Sequence, residues 1–144
     1  MQTSDDAKHG LALRFEVVVN GHDLGGWSTC SGLAMSFDVE KVKEGGENTF
    51  IHQLPGRAQY EHIVLQRAMT AGCWNDTRQW LKQVQQLPKP APAQITLYDA
   101  WKGKVATWDL NNVYPVKWSG PKLDAKGSEV AVETLELAHE GFLD

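Results

Sequence analysis

The chain has 144 residues, 42% of them hydrophobic, with 14 basic residues against 18 acidic ones for a formal charge of -4. This length suits one domain that buries about two-thirds of the surface its unfolded chain exposes, so neither a disulfide nor a metal is needed to hold it. The charge is spread over both halves, which excludes a basic arm for nucleic acid. Residues 1–12 read as a polar N-terminal segment and 13–144 as a single domain. The start from Met1 to Gly10 lacks the apolar run of a secretory signal or a membrane span, so the expectation is folding in the cytoplasm.

From Leu13 to Val19, residues Leu13, Phe15, Val17 and Val19 alternate with Arg14, Glu16 and Val18, the period of a half-buried strand. Asn20-Gly21 is a hairpin-turn signal, and Gly25-Gly26-Trp27 leads into a second extended stretch. Ser31-Gly32 marks a break before Leu33 to Val42, where Leu33, Met35, Phe37 and Val39 alternate with polar or small residues. A long polar loop follows from about Lys43 to Gln53, opened by Gly45-Gly46 and ending in the apolar pair Phe50-Ile51. Loops of this length and polarity are functional or mobile. Pro55-Gly56 reads as a turn, after which Ile63, Leu65 and Arg67 share one side of a strand.

Asn75 or Asp76 suits the cap of a helix whose apolar positions are Trp80, Leu81, Val84 and Leu87. Pro88, Pro90 and Pro92 end it and make a stiff extended connector. Ile95 to Trp101 and Lys104 to Leu110 form a hairpin about Lys102-Gly103, with Ala106, Trp108 and Leu110 on one side. Tyr114, Val116 and Trp118 then share a face in a further strand, where Pro115 demands an edge or an irregularity. The last strand, Glu129 to Ala138, places Val130 and Val132 on one parity and Leu135 and Leu137 on the other. Either a bulge shifts its register or both its faces are covered.

Chemistry is hard to find in these residues. Gly26-Trp27-Ser28-Thr29-Cys30 lacks the last glycine of a G-x-S-x-G nucleophile elbow and has no α/β alternation around it. Cys30 and Cys73 are far apart without CxxC spacing, and read as free thiols. The histidines at His9, His22, His52, His62 and His139 never fall at metal-ligand spacing. Asp38 with Glu40, or Asp99 with Asp109, read as solvated strand residues and not as an acid–base pair. Gly45-Gly46 lacks the Lys-Ser/Thr of a phosphate loop. The six tryptophans imply aromatic burial in the fold or at contacts between subunits. The residues thus predict a mainly β fold of two packed antiparallel sheets or a small split β-barrel, crossed by one α-helix. They predict no catalytic, cofactor-binding or metal site.

An ordered set of local motifs says more. Glu44-Gly45-Gly46, Leu54-Pro55-Gly56, Tyr60, Ile63-Val64-Leu65-Gln66-Arg67, Pro121-Lys122-Leu123-Asp124-Ala125, Val130-Ala131-Val132-Glu133 and His139-Glu140-Gly141-Phe142 together resemble the inner tube proteins of contractile phage tails and related contractile injection systems. The resemblance runs from about Leu13 to Leu143, and Ala68 stands where it leads one to expect glycine after Arg67. It implies a structural protein and not an enzyme. Its subunits are expected to form hexameric rings stacked into a tube, driven through a target envelope by a contracting sheath. The implied partners are copies of the chain itself, the sheath protein, baseplate and cap proteins, and a protein effector or DNA cargo in the lumen. Assembly is expected in the cytoplasm, within a phage tail-like particle or virion that can be released. Under this resemblance Lys43, Glu44, Gly45, Gly46, Glu47, Asn48, Thr49, Phe50 and Ile51 are expected to form an intersubunit contact loop. The alternative is a small β-barrel ligand-binding or hydrolytic domain, recognisable by a pocket with convergent polar groups.

Overall fold

A computed structural model describes residues 14–43, 51–127 and 130–143, with the backbone alone at 40–43 and 51–55. The elements in order are β1 (Arg14–Val19), β2 (His22–Trp27), β3 (Thr29–Ser31), β4 (Met35–Lys43), β5 (Ile51–Tyr60), β6 (Ile63–Ala68), α1 (Ala71–Gln86), β7 (Ala91–Tyr98), β8 (Lys104–Ser119) and β9 (Val132–Ala138). Among the described residues these make two antiparallel sheets and one helix. Seven strands pair in the order β2-β1-β7-β8-β9-β6-β3, and β4 and β5 make a separate two-stranded ribbon.

The larger sheet closes on itself. Its two end strands, β2 and β3, are consecutive in the chain with only Ser28 between them, and the Ser28 N–H donates to Gln66 O at 2.9 Å. One bent segment therefore serves both ends of the sheet, and the outcome is a small barrel whose edges are largely used up. Inside it lie Val17, Leu24, Ile63, Leu65, Ile95 and Leu135, each fully buried. Burial of one such side chain contributes about 1.5–3 kcal/mol.

The strand β8 does the joining. The sequence suggests two runs, but they form one 16-residue strand. Its first half pairs with β7 and its second with β9. Asn112 has φ 51° at the bend, and the C-terminal segment docks there through Asn111 N to Gly141 O at 2.9 Å and Glu140 N to Asn111 O at 2.8 Å. Pro115 sits beside a register shift, as proline in a strand must. That shift splits the expected common face, leaving Tyr114 and Val116 exposed and Trp118 half-buried.

Other expectations meet mixed outcomes. The Asn20-Gly21 turn has φ values of 50° and 79°, the left-handed pair that a tight hairpin requires. The helix starts earlier than expected, capped by the Thr70 hydroxyl accepting from Cys73 N at 3.2 Å and not by Asn75 or Asp76. Leu87 is the C-cap and 68% exposed, outside the apolar face to which its spacing assigned it. Pro92 belongs to β7, accommodated by a bulge between Ala91 and Ala93. Pro55-Gly56 is no turn: both residues lie within β5, where a bulge opposite Asp38 absorbs them. A Cβ on Gly56 would meet Asp38 O at 2.6 Å, so glycine is there for close approach. The predicted loop is also shorter, because Lys43 pairs with Ile51, Val42 with His52 and Lys41 with Gln53. Glu44 to Phe50 lie outside the described residues, as do residues 1–13.

Candidate assembly surfaces and the charge network behind them

The β4–β5 ribbon stands apart from the barrel core, its strands pairing only with each other among the described residues. Phe37 and Val39, two residues apart on one face of β4, are 56% and 54% exposed. At its root Tyr60 packs edge-on against Phe142, with ring centroids 5.2 Å apart, and against His139 at 5.3 Å. Gly141 passes so close that a Cβ would meet Tyr60 Cζ at 3.0 Å. The last residue of the ribbon and the end of the chain are thus one cluster.

A second set of apolar side chains lies on the outer side of β8 and β9. Tyr114 and Val116 are exposed at one end of β9, and Val132 with the preceding Val130 at the other. The pairing of β9 with β6 runs without a shift, so Leu135 and Leu137 face inward and the valines outward. The outer face of β9 is mixed, with Val132 exposed, Thr134 and Glu136 half-buried and Ala138 buried. Midway along it Glu136 accepts from His62 Nδ1 at 2.8 Å.

Beneath β6 and β9 lies a buried charge network. Arg67 and Glu133, 3% and 0% exposed, pair across β6 and β9 through Arg67 Nε and Glu133 Oε1. The other guanidinium nitrogens reach four further acceptors in two elements. Nη1 donates to Leu24 O and, at 3.3 Å, to Gly26 O in β2; Nη2 donates to Cys73 O at 3.2 Å and Thr77 Oγ1 at 2.8 Å in α1. Its flat face lies 3.8 Å from the centroid of Trp27, a cation–π contact. Trp118 Nε1 donates to the second Glu133 oxygen at 3.0 Å, and its ring stacks on Trp74 at 4.6 Å. One planar cation therefore ties both sides of the barrel seam to the helix, which Lys could not do in the same geometry.

This network is what sequence reasoning missed. Its signal was present: Arg67 shares strand parity with Ile63 and Leu65, and Glu133 with Leu135 and Leu137, so each strand puts one charge among its inward residues. The Ala68 departure is an ordinary exposed strand position paired with Val132.

The arrangement offers chemistry little. Both Glu133 oxygens are engaged. Burial pushes the Cys30 thiol up to about 11, so it stays protonated near neutrality. Asp99 accepts from Trp101 N and Gly103 N in its turn, Asp109 from Gln94 and Asp38 from Gln59. Among the described residues no three His, Cys, Asp or Glu side chains gather where they could hold a metal ion. A groove of about 330 Å³ runs between the end of α1 and the start of β7, lined by Trp80, Val84, Leu87 and Pro90 together with the polar Asn20 and Gln83, and with Lys89 as its one charged side chain.

Against known proteins, a family model for the T4-like virus tail tube protein gp19 matches residues 11–143. No curated protein sequence matches the chain. Among solved structures, a chain of the anti-feeding prophage baseplate, 6-fold symmetrised, is 26% identical with a TM-score of 0.67, covering 90% of this chain and 89% of that one. A chain of the sheath-tube complex of an extracellular contractile injection system, PVC, in its extended state is 23% identical with a TM-score of 0.73, covering 90% and 86%. Hcp1 from Flavobacterium johnsoniae shares the fold at 12% identity and a TM-score of 0.50, covering 88% and 89%.

Proposed function

Since the chain belongs to the T4-like virus tail tube protein gp19 family, we propose that it is the repeating subunit of a contractile particle's inner tube, stacked as hexameric rings around a cargo channel. A sheath outside the tube drives it through a target envelope, and baseplate and cap proteins hold its ends. The cargo is a protein effector or DNA. The chain works mechanically and not as an enzyme, and it assembles in the cytoplasm before the particle is released. The observation that carries this reading is the family match across residues 11–143. The uncovered apolar side chains on the ribbon and on the outer side of β8 and β9 support it, since a subunit between neighbours covers what a monomer leaves wet.

Residues 43–51 form the contact loop in this proposal. Its first and last residues, Lys43 and Ile51, pair with each other across β4 and β5. Burying Phe50 and Ile51 on a neighbour contributes about 1.5–3 kcal/mol each before ordering costs. Electron microscopy and light scattering of the purified protein test the reading directly. The native chain is expected to give rings or tubes at high concentration, and a strictly monomeric mass at every concentration overturns assembly. A chain with residues 44–50 replaced by a tight Gly-containing turn is expected to fold with unchanged secondary structure but not to assemble. Normal polymerisation of that variant overturns the loop's role alone.

A further inference from the structure

We propose that His139 is an acid-sensitive latch for the β4–β5 ribbon, holding its root to the end of the barrel only while the imidazole is neutral. The hydrogen bonds dictate the protonation state. His139 Nδ1 accepts from the Gly141 N–H at 3.1 Å, so the ring proton sits on Nε2, which donates to Glu61 O at 3.1 Å. One side chain therefore bridges the residue after β5 and the C-terminal segment after β9. Its ring lies against Tyr60 and, with centroids 6.0 Å apart, against Phe142.

An imidazolium carries a proton on both nitrogens. Nδ1 then cannot accept, and the buried Gly141 N–H faces another donor. Movement of the segment away from Tyr60 relieves that conflict. The ribbon root would keep the Glu61 N to Ala34 O bond, at 3.3 Å, and its chain connections. The neighbouring charges do not compensate. From β6, His62 is paired with Glu136 of β9 and its own charge opposes a second one on His139. In the tail, Glu140 accepts from Asn112 Nδ2 at 2.6 Å. Glu61 offers its backbone oxygen, and from β5 Tyr60 offers its ring.

Burial, chiefly, lowers the His139 pKa below its ordinary 6.5, outweighing the backbone hydrogen bonds at Glu61 and Gly141, which pull it the other way. A group depressed by folding leaves stability whole above the unfolded value and removes it as pH falls from there through the folded value. The latch is therefore shut above about pH 6.5 and releases on the acid side.

Amide hydrogen exchange on the full chain from about pH 7.5 to about pH 5, corrected for intrinsic exchange, reads this out. Gly141 and the ribbon-root amides of Met35 and Tyr60 are expected to lose protection in acid while those of β1 and β7 keep theirs. In His139→Gln that acid-specific loss is expected to vanish, and in His62→Gln to persist. Unchanged protection at the root of the native ribbon, or the same loss in His139→Gln, overturns the proposal. Should His139→Gln not fold, imidazole nitrogen shifts of the native protein decide. A neutral Nε2–H tautomer titrating below 6.5 supports the latch, and an Nδ1–H tautomer or a titration at or above 6.5 overturns it. The proposal concerns the folded chain, and stands or falls separately from tube assembly.

Discussion

Arg67 has more partners than any other side chain described, and its value lies in being matched. Removing one member of a buried pair strands the other charge, at a cost of about 3–5 kcal/mol, whereas replacing both with apolar residues of similar volume is often neutral. Arg67→Met is therefore expected to lower unfolding free energy by about that amount in denaturant titrations. The Arg67→Met, Glu133→Leu double variant should recover much of the loss, though Thr77 and the carbonyls of Leu24 and Cys73 still lose their donor. If the double variant is as unstable as the single one, the stranded carboxylate is not what makes Arg67 costly to remove.

At the scale of elements, glycines separate required geometry from mere presence. Gly32 leads the chain out of β3 toward the ribbon with φ 89°, and a Cβ there would meet His62 O at 1.9 Å. Gly72 lies in the first turn of α1 with nothing within 4 Å of its would-be Cβ. Gly32→Ala should thus destabilise strongly or prevent folding, because backbone on both sides must shift. Gly72→Ala should be neutral or stabilise by up to about 1 kcal/mol, since it reduces unfolded-state entropy without a clash. Thermal or denaturant melts of the two variants check both signs, and equal effects would sink the geometric argument.

For the whole molecule, a closed barrel with an attached ribbon separates folding from association. The core is inside the barrel, while Tyr114, Val116 and Val132 are outside it. Converting these three to Ser, Thr and Thr should leave the melting midpoint of the subunit within a few degrees, as surface changes usually cost under about 0.5 kcal/mol. Assembly monitored by scattering should nonetheless fail or need far higher concentration. Loss of the fold itself would show that these residues serve the subunit core.

Much was legible in the linear chain because it depends on local periodicity and turn chemistry. The alternation in Arg14–Val19 and Ile63–Ala68, the Asn20-Gly21 hairpin and the helix Ala71–Gln86 all follow from rules spanning a few residues. The ordered motifs also carried the family, and three of their members, Tyr60, His139 and Phe142, proved to touch. Pro55-Gly56 defeated local reasoning because the same two residues serve a turn or a bulge, and only the partner strand β4 selects between them. The continuity of β8 was hidden likewise, since its halves belong to different neighbours and only the closure of the sheet makes them one strand. Residues 1–13 and 44–50 lie outside these comparisons. Tertiary structure alone decided that Arg67 meets Glu133 and that His139 meets Glu61, because pairs separated by 66 and 78 positions are brought together by sheet register, which no local pattern encodes.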